Sequence, residues 1–171
     1  LDLGVHALDM GWYLLGCPKP IRLVSSNYSA FPEWNAVENI EDMAEDTALA
    51  MIFFENGSTL TLEASFVSQS EDLTNHKPTV RLFGDKGGFY TDSLTVCQGG
   101  SEKMEYTSID ILPEWEGPHP RIKILENFVD AIEGKDSLIV KAEHGLHLMK
   151  MIDGIRTSWL EQREVRFDHA D

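Results

Sequence analysis

Asp2, His6, Asp9 and Tyr13 are spaced so that a helix would bring them into one line. At roughly 100° per residue they fall within about 60° of one another, a narrow polar stripe. Two carboxylates, an imidazole and a phenol are groups of acid–base chemistry, and in a low dielectric they shift one another's proton affinities. Val5, Leu8, Trp12 and Leu15 flank the stripe on one side; Leu3, Ala7, Met10 and Leu14 flank it on the other. Gly4 and Gly11 lie opposite, where a bare backbone lets another element approach closely. With apolar flanks on both sides and no Lys or Arg before Lys19, the pattern predicts a buried helix whose polar line faces a cavity.

Two other readings fit the same spacing. Asp and His at i, i+4 also form an ordinary polar pair on a helix. Asp2, His6 and Asp9 are all possible ligands of one metal ion, although no further ligand cluster accompanies them.

The elements that must position this stripe follow from the rest of the chain. Its 171 residues suit one domain with a sizeable core. Asp and Glu number 29 against 14 Lys and Arg, a formal charge of −15, which argues against nucleic acid or an anionic membrane surface as partner. Cys17 and Cys97 make neither a disulfide framework nor a metal spacing, so a reducing compartment, the cytoplasm, is expected. No apolar run approaches the ~18 residues of a membrane span. The sequence opens on Leu1, inside a helical pattern and without Met, which predicts that further residues precede it in a parent protein.

The first helix should stop near Gly16, ahead of Pro18 and Pro20. A strand is expected over Ile21–Ala30, then a loop over Phe31–Asp42 whose Trp34 is either a plug into the core or a substrate platform. Thr47–Phe54 reads as a strand, Asn56-Gly57 as a two-residue hairpin turn, and Ser58–Val67 as the return. That return places Leu60, Leu62, Ala64 and Phe66 on one face and Thr59, Thr61, Glu63 and Ser65 on the other. Ser68–Lys77 reads as a loop. Thr79–Phe83, Leu94–Cys97 and Met104–Leu112 read as strands, with turns at Gly84–Gly88 and Gly99-Gly100. The glycine-rich turn joins strands and does not open a helix, which disfavours a phosphate cradle. Pro120 suits a first helical position, with Ile122, Leu125, Val129 and Ile132 as the buried face and Gly134 as the stop. A last helix over Ala142–Gln162 should bury Leu146, Met149, Ile152, Ile155 and Trp159, leaving His144 and His147 with Lys141 and Lys150 in solvent. Val165–Phe167 closes as an edge strand. Helix, strands, then two helices predicts an α+β fold: a largely antiparallel, open-faced sheet with helices packed on one face.

The blocks in this order resemble a known family. Asp2-Leu3-Gly4-Val5-His6-Ala7-Leu8-Asp9 resembles a D-x-G-x-H-x-x-D helix, continued by Trp12-Tyr13-Leu14-Leu15-Gly16 and Pro18. Glu45-Asp46 before a strand, Asn56-Gly57, Gly84-Asp85-Lys86-Gly87-Gly88, Phe128-Val129-Asp130-Ala131-Ile132 and the last helix with Ser158 follow in turn. The chain is similar to the C-terminal domain of the glucose–fructose oxidoreductase / inositol dehydrogenase / rhizopine catabolism (Gfo/Idh/MocA) family. Lys141 departs from the pattern, standing where a capping Ser or Thr is expected.

The resemblance implies a single C-terminal substrate and oligomerisation domain over 1–171. An N-terminal Rossmann domain, absent from this chain, would hold NAD or NADP and contribute a lysine; no G-x-G-x-x-G opens a helix here. His6 would exchange the proton of a substrate hydroxyl while hydride passes to or from nicotinamide, a task suited to imidazole. Asp2 would orient the substrate or tune His6, and Asp9 would fix the His6 tautomer or tie the helix to a neighbour. The substrate would be a sugar, polyol or derivative, with Trp115, Trp34, Glu63 and Ser65 as contacts. A homodimer or homotetramer would form through the open sheet face, and no metal is required. Two alternatives stand beside this: a non-catalytic binding or assembly module of the same fold, and a metal-dependent hydrolase built on Asp2, His6 and Asp9.

Overall fold

The computed structural model describes residues 2–29, 45–67, 79–91, 95–100, 103–105, 117 and 119–167. The loops expected over 31–42 and 68–77, the strand expected beyond 105, and both Trp34 and Trp115 lie outside the described residues. The elements are α1 (Asp2–Leu14), β1 (Pro20–Tyr28), β2 (Thr47–Phe54), β3 (Thr59–Ser65), β4 (Arg81–Gly84), β5 (Gly87–Tyr90), β6 (Thr95–Gly100), β7 (Lys103–Glu105), α2 (Pro120–Ile132), α3 (Ala142–Glu161) and β8 (Val165–Arg166). The class is the expected α+β, and its strands pair antiparallel in two ladders, β3-β2-β1-β8 and β4-β5-β6-β7. Two compact units result: one holds α1, β1 to β3, most of α3 and β8; the other holds β4 to β7 and α2.

In the first unit the register fixes the faces. Leu23, Ile52 and Leu60 stand opposite one another, as do Ser25, Ala50 and Leu62, and Asn27, Ala48 and Ala64. Cross-strand partners share a face, so all nine line the side that α1 and α3 cover. The core joins Leu8 and Trp12 of α1 and Met151 and Ile155 of α3 to Leu23, Ile52, Phe54, Leu60 and Leu62 of the sheet. Phe66, past the end of β3, is exposed rather than buried with Leu60 and Leu62.

Two glycines set the helix positions. A Cβ on Gly11 would lie 2.9 Å from Leu60 Cδ1, and one on Gly154 would lie 2.9 Å from Phe167 Cζ and 3.1 Å from Leu23 Cδ2. Gly154 thus draws the face of α3 bearing Met151, Ile155 and Ser158 onto the sheet. That corrects the expected stripe: Leu146 and Met149 are exposed, while Met151 and Ser158 are buried. The 3.6-residue period located the helix, but the bare patch at Gly154 decided its rotation.

Turn chemistry follows the sequence with two shifts. Helix α1 ends in a Schellman motif at Gly16 (φ 86°), with Cys17 N–H donating to Trp12 O at 3.0 Å and Gly16 N–H to Tyr13 O at 2.9 Å. At Asn56-Gly57 the loop has three residues, not two: Gly57 N–H donates to Phe54 O and Gly57 takes φ 83°, a turn followed by a left-handed residue. Asn56 Oδ1 is held instead by Ser58 N–H and Oγ, at 3.0 and 2.7 Å. In the second unit Gly84 pairs with Gly87 across the Asp85-Lys86 turn, as expected. Gly99 and Gly100, however, lie within β6, paired with Met104 and Lys103, and not in a turn.

Helix α2 starts with Pro120 in its first turn, and the ring of His119 caps it by accepting from Arg121 N–H. None of its residues is buried, and Ile132 is 71 % exposed. The expected burial of Ile122, Leu125, Val129 and Ile132 is therefore not met by the described elements. An apolar stripe specifies a face that favours cover, not what covers it.

Candidate functional site

The position of α1 decides where its polar stripe points. Gly4, Leu8, Gly11 and Trp12 are buried toward the sheet and α3, and Trp12 Nε1 is fixed by Pro18 O at 2.7 Å. At about 100° per residue the stripe lies on the far side of the helix, and His6, Asp9 and Tyr13 are exposed. The helix is thus buried along one face only, which corrects the expected burial on both flanks; Leu14 too is exposed. The glycines opposite the stripe are what seat the core side, so the polar side is left in solvent.

His6 and Asp9 are three residues apart, and Asp9 and Tyr13 four, spacings that make neighbours on a helix surface. Asp2 begins the same helix, and its side chain is not among those described. The Cys17 thiol is pushed above its usual range by burial, with the nearby Asp9 carboxylate adding to the shift. Glu63 is exposed and Ser65 shares a 2.8 Å hydrogen bond with Thr47. Both belong to the face of β3 opposite Leu60 and hence opposite α1, so the structure does not bring them to the stripe.

The two histidines assigned to solvent, His144 and His147, are both half-buried, and the His147 ring lies edge-on to Trp12 with centroids 6.0 Å apart. Among the described residues no cluster of three or more His, Cys, Asp or Glu side chains could hold a metal ion. No described helix is long and apolar enough to cross a membrane.

Two buried polar residues escaped the sequence pattern. Ser158 Oγ accepts from Ser25 N–H at 3.0 Å and donates to Arg163 O at 2.7 Å, joining β1 to the end of α3. Ladder pairing between β1 and β8 covers Arg22 and Leu23, and the hydroxyl takes over at Ser25. A serine between Ile155 and Trp159 on the core side of α3 was the available signal. Asn27, 4 % exposed, has no partner for either amide atom among the described residues.

On the open face, Arg22 lies 3.6 Å over the Phe53 ring and bonds Glu164 at 2.7 Å. Arg166 bonds the other Glu164 oxygen at 2.8 Å, and the Glu164 carboxyl is held below its usual range, chiefly by the Arg22 hydrogen bond.

Comparison with known proteins agrees with this architecture. D-glucoside 3-dehydrogenase of Escherichia coli (strain K12) is 25 % identical over 176 residues, covering 92 % of this chain and 45 % of the relative. Levoglucosan dehydrogenase, solved with NADH, superposes with a TM-score of 0.74 at 19 % identity, over 98 % of this chain and 49 % of that one. Aldose-aldose oxidoreductase from Caulobacter crescentus, solved with glycerol, gives 0.72 at 16 %, over 96 % and 46 %. The chain spans about half the length of these relatives. Residues 1–167 match the family description "Oxidoreductase family, C-terminal alpha/beta domain", and the chain belongs to that family, the C-terminal domain of the Gfo/Idh/MocA oxidoreductases.

Proposed function

We propose that this chain is the substrate-binding and catalytic part of a nicotinamide-dependent oxidoreductase acting on a sugar, a polyol or a derivative. The observation that carries the reading is the line of His6, Asp9 and Tyr13 on the solvent side of α1, in a chain of an oxidoreductase family. An N-terminal Rossmann domain would face that side and hold NAD or NADP. The names of a curated glucoside dehydrogenase relative and of structural neighbours solved with NADH and with glycerol support the cofactor and substrate class.

The nicotinamide, when bound, supplies the hydride acceptor or donor. His6 takes the proton of the substrate hydroxyl in oxidation and returns it in reduction, a role worth about 10²–10⁴-fold in rate. Asp2, one turn before His6, orients the substrate or the imidazole. Asp9 fixes the His6 tautomer or ties α1 to a neighbouring segment. Trp34 and Trp115 are the platforms for a polar ring. Glu63 and Ser65, on the open face, suit assembly better than catalysis. Val24, Met51 and Tyr28 on that face are 40, 40 and 48 % exposed, and they make the surface of a homodimer or homotetramer in the cytoplasm.

That same apolar face favours a second reading, an assembly module without catalysis. Full-length protein, tested for nucleotide binding by calorimetry and for turnover with a panel of sugars and polyols, separates the two. Binding of NADH or NADPH with turnover of at least one polyol or sugar is expected. A full-length protein that assembles and binds neither nucleotide overturns the enzymatic reading.

A further inference from the structure

We draw no further inference here: the strongest candidate, the exposed apolar face of α2 with the Leu138–Val140 turn that Asn127 holds beside it through Ser137 O and Ile139 N–H, is a surface for which nothing in the structure shows what covers it.

Discussion

Gly11 of α1 and Leu60 of β3 meet so closely that a methyl group on the glycine would lie 2.9 Å from Leu60 Cδ1. The contact fixes which side of α1 faces the sheet, and by elimination which side carries His6. Gly11→Val adds two branches where even the first carbon is crowded. Overpacking of this kind costs about 1–3 kcal/mol, expected as a clear fall in the thermal midpoint of unfolding. An unchanged midpoint would mean that α1 is not seated on β3 as described.

Ser158 and Asn27 are both buried polar groups, and they should respond in opposite ways. Ser158→Ala leaves Ser25 N–H and Arg163 O without their partner, and each lost part-buried bond costs about 0.5–1.5 kcal/mol. The Asn27 amide has no partner to lose among the described residues, so Asn27→Leu, of similar volume, should be neutral or stabilising. Denaturant unfolding of both variants checks the contrast. A strongly destabilised Asn27→Leu would show that the amide is in fact bonded.

The legibility of the chain divides along the same lines. The order of elements, the bounds of β2 and the last helix, and the glycine stops were readable because period, caps and turn residues are local. The rotation of α3 was not, since it depends on Gly154 meeting Leu23 and Phe167, residues distant in sequence from it or from each other. The stripe of α1 was readable as a line of residue types, but its exposure was not, because apolar flanks do not say which one the sheet takes. His147 looked like part of a charged face until Trp12 was found against it. Polar residues that the core admits, Ser158 and Asn27, carry no period at all.

Glu164 gives a pH dependence of definite sign. Its carboxyl is held low in the folded chain, mainly by the Arg22 hydrogen bond. A carboxyl depressed on folding stabilises above its unfolded value, and that contribution is lost as pH falls through the folded one. Stability should therefore drop on acidification, and Glu164→Gln should make the acid limb of midpoint against pH shallower. The change should be small, because the group is partly exposed. An identical limb in the variant would remove Glu164 from the account.

The central claim is that His6 moves the substrate proton. The most direct measurement is kcat of the full-length His6→Ala enzyme, with nucleotide affinity measured in parallel and added imidazole tested for rescue. His6 stands on the exposed side of α1, away from the core, so the fold should survive its removal. The expected result is a loss of about 10²–10⁴-fold in kcat, unchanged nucleotide affinity and partial recovery with imidazole. A kcat within a few-fold of the parent enzyme would contradict it.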